Sequence, residues 1–307
     1  MSQQEHDLPC ASPIRQEPLP FLLPEAEHEM PVREGKMPKP PEKKEVKPSK
    51  TGTQMVPVQL PLWSEPVRAV PNGFLRSALF GVIAKGKRRY INGESLASIE
   101  GVTLRYKGER LDQDDLDVWA SVLHTVRMHP LGARTRATTS YALLKMMGKT
   151  DTGKNRMLLK ARIERLVACA VTLRQGRYTY IGSLLQFAAQ DEVTQEWVIE
   201  IDEKIAALFS HDQFTRVDWE LRRALDGKPL AQWLHCFYST HAQPYPMKVE
   251  TLQRLCGSED KELKSFRQKL RRAFGELEGA YAACGQRFTV AIGDGDTVHV
   301  QRPEAIA

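Results

Sequence analysis

The chain has 307 residues, 41% of them apolar, with a net charge of +6 and a pI near 9.0. No run of eighteen apolar residues and no basic start followed by an apolar core occurs, so neither a membrane span nor a secretory leader is expected. Five cysteines without CxxC spacing predict free thiols in a reducing cytoplasm, and the basic surplus points to a polyanionic partner once its location is known.

Residues 1–54 read as a disordered tail. The first fifty hold ten of the nineteen prolines and end in KMPKPPEKKEVKPSK. Proline removes a donor and restricts its neighbour, so neither helix nor sheet propagates there. PLPFLLP is the single apolar patch, and Cys10 has no evident role. Residues 55–75 read as a linker. Its core, VPVQLPLWSEPVRAVPN, carries an aromatic at Trp63, which suits either entry into a domain or a short peptide for another protein's pocket.

A first domain is expected over 76–204. RYINGESLASIEGVTLRYKGERLD gives short strands with glycine turns. DQDDLDVWASVLHTVRMH starts with an acidic turn, as helix N-termini do, and spaces Leu116, Trp119, Val122, Leu123 and Val126 at helical period. SYALLKMMG is a second helix, with Ser140 as N-cap and Gly148 as stop. After KTDTGKN comes a third, RMLLKARIERLVACA. VTLRQGRYTYIG alternates around a Gln-Gly turn and predicts a hairpin. Three helices and a hairpin make a winged helix-turn-helix.

The order recurs over 205–307, after the strand and helical run of EWVIEIDEKIAALFS. DWELRRAL is one helix, and PLAQWLHCFYSTH another with Pro229 in its first turn. VETLQRLCGS is a short helix, followed by a long one in EDKELKSFRQKLRRAFGELEGAYA. RFTVAIGDGDTVHVQR then alternates on both sides of a Gly-Asp-Gly-Asp turn. The predicted fold class is α+β, two tandem winged-helix domains behind the tail.

On the long helix, Leu263, Phe266, Leu270, Phe274, Leu277 and Tyr281 form one apolar stripe. Lys261, Lys264, Gln268, Arg271 and Arg272 fall away from it, with Arg267 on the border. Arginine pairs guanine, glutamine pairs adenine and lysine neutralises phosphate, so a helix in this position reads as a DNA-binding face. The corresponding helix of the first half offers Lys154, Asn155, Arg162 and Arg165, and its hairpin turn Arg174 and Arg177, in a secondary role.

Catalytic signatures do not appear. TDTGKN lacks the spaced glycine and the following Ser or Thr of a phosphate-binding loop. GDGD lacks the later ligands of a calcium loop. His235, Cys236 and His241 have no companion pair at metal spacing. No catalytic residue, metal site or cofactor is expected. An enzyme acting on DNA would need a tyrosine or carboxylate-metal centre, and no metal-ligand constellation in the sequence supports one.

PYPMKVETLQRLCGS at 244–258 closely resembles the TrfA-type plasmid replication initiators. RAVPN at 68–72, RSALF at 76–80, LDQDDLDVWASVL at 111–123 and EWVIEIDEKIAALFS resemble further segments of that family in the same order. The resemblance implies an initiator that binds direct repeats (iterons) in double-stranded origin DNA as a monomer. Dimers would be inactive or negatively regulating. It also implies recruitment of the host initiator protein and replicative helicase, and a Gln-Leu-x-Leu-Phe peptide for the host sliding clamp. Gln59, Leu60, Leu62 and Trp63 match that peptide, with Trp in place of Phe. A winged-helix transcription regulator that recruits no replication protein is the alternative, and a start at Met30, Met37 or Met55 would shorten the tail.

Overall fold

The computed structural model describes residues 57–83, 86 and 88–303. The expected tail, with Cys10, Met30 and Met37, lies outside the described residues, as does Met55 at the start of the expected linker.

The chain opens with β1 (Val67–Pro71), α1 (Asn72–Leu75), β2 (Phe80–Gly81), β3 (Tyr90–Leu96), β4 (Val102–Glu109) and β5 (Leu111–Asp112). Then come α2 (Gln113–Val126), β6 (Thr135–Thr139), α3 (Ser140–Met146), α4 (Gly153–Val167), β7 (Ala170–Gln175), β8 (Tyr178–Gly182), β9 (Phe187–Gln190) and β10 (Glu196–Glu200). A 3-10 turn over Glu203–Phe209 precedes β11 (Phe214–Asp218), α5 (Trp219–Ala224) and α6 (Pro229–Ser239). The last elements are β12 (Met247–Lys248), α7 (Val249–Leu255), α8 (Leu263–Ala283), β13 (Thr289–Gly293) and β14 (Thr297–Gln301).

The acidic start of α2 is a capping box. Asp112 accepts the Asp115 N–H at 3.0 Å, and the Asp115 carboxylate accepts the Asp112 N–H at 2.9 Å. The cap of α3 is Thr139, which accepts the Ala142 N–H at 3.2 Å, rather than the expected Ser140. Ser140 faces inward and accepts the Trp197 indole N–H at 3.0 Å. Gly148 takes φ +72 after α3, a conformation that suits glycine and stops the helix.

Each half has the order helix, strand, two helices, two strands. The first half uses α2, β6, α3, α4, β9 and β10, with sheet order β6-β10-β9; the second uses α6, β12, α7, α8, β13 and β14, with order β12-β14-β13. This corrects the sequence reading of 171–182. Those strands are a hairpin, but they extend an antiparallel sheet β3-β4-β7-β8. Val171 and Leu173 turn inward, and Leu173 pairs opposite the buried Leu104 of β4. The long alternating β4 offers a matching apolar face, so β7 pairs there. The strands placed like the second half's hairpin are instead 187–200.

Residues 57–75 are not a free linker. β1 pairs antiparallel with β11, and Leu60, Trp63, Val67, Phe74 and Leu75 are buried in the core around Trp119. That core runs on through Ile205, Phe209, Val217 and Trp219, and the second core begins at Leu221, so the crossing lies beyond residue 204. The cores meet at Arg222. Its guanidinium is buried, with Nε 2.6 Å from the Asp117 carboxylate of α2 and Nη2 donating to the Gln113 carbonyl at 3.0 Å. Backbone contact also crosses the junction, the Val82 N–H donating to the Cys256 carbonyl at 2.8 Å.

Candidate nucleic-acid interface

Helix α8 buries Phe266, Leu270, Ala273, Phe274, Leu277 and Tyr281, the stripe expected from its periodicity. Lys264, Gln268 and Arg271 are exposed on the opposite side at i, i+4 and i+7. None of the three has an ion-pair partner among the described residues. Lys261, in the turn before α8, is exposed as well. The same stripe continues through Gly275 and Gly279, where an added Cβ would meet open space. Glycine inside a helix costs about 0.5–1 kcal/mol relative to alanine, so two of them on one exposed face keep this stretch flat at some cost to the helix. It lets a broad surface approach the helix closely.

Two of the expected residues on α8 are engaged. Arg272 Nε is 3.0 Å from Glu276, four residues on, with most of its side chain in solvent. Arg267 is half-buried and ion-paired to Asp296 in the turn between β13 and β14. That turn is bent tightly, with Gly295 at φ +65 and Asp296 at φ +58. The ammonium of Lys248, at the start of α7, donates to the Gly295 carbonyl at 2.8 Å and the Thr297 hydroxyl at 3.0 Å. The hairpin turn is thus tied to both helices that precede it.

The first half is wired differently. Lys154 is exposed at the start of α4. Asn155 donates to the Thr150 carbonyl at 2.8 Å and so closes the turn leading into the helix. Arg162 and Arg165 are turned inward, contrary to the expected DNA role. Arg162 pairs with Asp114, and Arg165 reaches the fully buried Asp115 carboxylate with Nη2 at 3.0 Å. The reason lies in α2, whose acidic first turn sits against α4 and draws both guanidiniums into ion pairs. Arg177 stacks over the Tyr178 ring at 4.9 Å, whereas Arg174 is exposed without an ion-pair partner among the described residues. Arg136, on β6 beside the strands at 187–200, was missed by the sequence reading; its guanidinium is exposed and 3.1 Å from Glu196.

The 59–63 segment is seated in the fold. Gln59 donates to the Arg127 carbonyl at 3.0 Å, and Leu60 is buried. Trp63 lies parallel to Phe209, and its indole N–H donates to His124 Nδ1 at 2.9 Å. An indole nitrogen can only donate, so His124 carries its proton on Nε2, which faces Glu65 at 2.9 Å. Burial, opposed by that carboxylate, pushes the His124 pKa down to about 4. Arg127 joins the latch through Glu65 at 2.6 Å. Leu62 is exposed, at 59%, and so is Gln59, while Leu60 and Trp63 are buried.

No cluster of three or more His, Cys, Asp or Glu able to hold a metal occurs among the described residues. His235 is a core residue. Its Nε2 faces the Asp218 carbonyl at 3.1 Å and its Nδ1 the Tyr281 hydroxyl at 3.2 Å, and burial takes its pKa down to about 3. No helix among the described residues is long and apolar enough to cross a membrane.

The model of the TrfA protein family matches residues 41–302. The plasmid replication initiator protein TrfA of Escherichia coli is 31% identical over 226 residues, which cover 71% of this chain. The match spans 58% of that relative's length, under two thirds of it. Among solved structures, domains 2 and 3 of RctB superpose with a TM-score of 0.52 at 15% identity, covering 75% of this chain and 98% of that one. A second RctB crystal structure of the same domains gives 0.50 at 16% identity, covering 76% and 97%. At such identities the likeness concerns the fold alone. With the family model spanning nearly all of the described body, the chain belongs to the TrfA family.

Proposed function

We propose that the chain is a plasmid replication initiator that binds direct repeats in double-stranded origin DNA as a monomer. Both helix-strand-helix-helix-hairpin units are read as winged helices, the second making the principal contact. The observation that carries this reading is the exposed Lys264, Gln268 and Arg271 face of α8, beside a hairpin turn fixed to the helix by Arg267 and Asp296. A helix with its apolar side locked in a core and an outward row of one amide and two cations suits a major groove. The relative's name, plasmid replication initiator, supports the biological role.

The test is binding to fragments of the plasmid origin by the chain and by its Gln268→Ala/Arg271→Ala variant. The native chain should protect direct repeats, and the folded variant should lose preference for them over random duplex. Equal preference in the two proteins would remove α8 from the interface. Recruitment of the host initiator, the helicase and the sliding clamp belongs to the same proposal. For the clamp, the 59–63 peptide has to leave a seat in which Leu60 and Trp63 are buried. Origin binding without assembly of those host proteins would favour the alternative, a transcription regulator of plasmid genes.

A further inference from the structure

The sheet β3-β4-β7-β8 has an outer face of which the DNA reading uses Arg174 alone. Alternation on β4 turns Leu104 and Tyr106 into the core and Thr103, Arg105 and Lys107 out to solvent. On β7 it turns Arg174 out. Thr103 lies directly opposite Arg174, and Arg105 opposite Thr172, so Arg105 and Arg174 are diagonal neighbours. Arg105 is held in place at the β3 bulge, where its Nε and Nη2 donate to the Gly93 carbonyl at 3.2 and 3.1 Å. The Glu109 carboxylate at the far end of β4 is engaged by Arg165 at 3.4 Å.

Beyond Arg174 the face runs into an open groove of about 560 Å³ lined by Gly101, Thr103, Gly176 and Arg254. Arg254 comes from α7, in the second half of the molecule, and is exposed. Glu100 is the single carboxylate in the groove's lining. Lys107, Arg105, Arg174 and Arg254 therefore form a basic line from the first half's sheet to the helix that precedes α8.

We propose that this line is a phosphate track, over which a duplex held by α8 continues across the four-stranded sheet. Residues i and i+2 on a strand stand about 6.8 Å apart, two axial steps of about 3.4 Å along one DNA strand. Threonine hydroxyls at 103 and 172 supply further phosphate donors between the cations. A protein partner would need a central apolar anchor. The large apolar groups exposed on these strands, Tyr90 and Ile181, are on the two edge strands instead.

The inference rests on the DNA-binding reading, and the experiment separates the two. Affinity for an origin fragment and for a scrambled duplex is measured across a salt series for three proteins. These are the native chain, Lys107→Gln/Arg174→Gln/Arg254→Gln, and Gln268→Ala/Arg271→Ala. The triple variant alters only exposed side chains without ion-pair partners among the described residues, so its thermal midpoint should match the native one. Its salt slope should fall by about 2–3, near 0.9 for each lost phosphate contact, with the origin-to-scrambled ratio unchanged. An unchanged slope alongside a loss of preference in the α8 variant overturns the track and leaves the sheet for a protein partner. No change in either variant overturns the DNA-binding reading as well.

Discussion

Arg267, on the outer helix α8, is ion-paired to Asp296 in the hairpin turn that follows it, and the turn is in turn held by Lys248. The carboxylate fixes the planar guanidinium rather than leaving it to sample solvent. A pre-aimed arginine discriminates bases better than a mobile one, because less rotamer freedom is lost on contact. On the proposed DNA reading, the same carboxylate places a negative charge beside the duplex, which disfavours non-specific binding.

Asp296→Asn should therefore separate specificity from affinity. Asparagine tolerates positive φ, so the turn keeps its shape. Preference for origin over random duplex should fall by about tenfold, within the 1–3 kcal/mol a good side-chain-to-base contact contributes. Random-duplex affinity should hold or rise. Competition binding measures both, and a parallel loss on the two DNAs would show Asp296 to be only structural.

Arg165→Ala should act on stability and not on DNA. Its removal leaves buried Asp115 with Arg88, at 3.0 Å, as the remaining guanidinium. A loss of about 2–3 kcal/mol is expected, below the 3–5 of a fully broken buried pair. Urea denaturation gives the stability, and an unchanged salt slope of DNA binding shows that no phosphate contact was lost.

Trp63→Ala and Leu62→Ala differ only one position apart but should diverge sharply. Trp63 fills the core against Phe209 and its loss should cost about 3–5 kcal/mol. Leu62 is exposed and its replacement should stay within about 0.5 kcal/mol. If the two midpoints shifted alike, the segment would not be seated in solution as described.

Acid should destabilise the fold early. Both His124 and His235 are kept neutral when folded, with pKa values pushed down by burial to about 4 and about 3. The unfolded imidazole takes its proton near 6.5. The contribution is therefore complete above pH 6.5 and is lost as the pH falls from there towards 4 and 3. Urea midpoints at pH 7.5, 6 and 5 should decline for the native chain and decline less for His124→Asn, from a lower starting value. Asp115, its pKa pushed up to about 6 by burial, acts in the opposite sense over the same range. A His124→Asn profile as steep as the native one is therefore the result that would contradict the buried neutral imidazole.

The α8 face was legible because its stripe and its charges follow one helical period within twenty residues. The capping box of α2 was legible for the same local reason. What the sequence hid are partners brought from far away. Arg162 and Arg165 look like free charges on their own helix, and only the fold sets the acidic turn of α2 against them. The hairpin at 171–182 was correctly seen as a hairpin, but its pairing with β4 is decided by tertiary packing. Trp63 sits among prolines, where local pattern says nothing about a pocket built from His124 and Phe209.

The pairing of β1 with β11 sets a limit on where translation can begin. Phe214–Asp218 leads straight into α5 and the second half, and its neighbour in the sheet is supplied by Val67–Pro71. A product initiated at Met30, Met37 or Met55 keeps that strand. The next methionine is Met128, and a product begun there would carry all of α8 yet leave β11 with a bare edge, open to pairing with another chain.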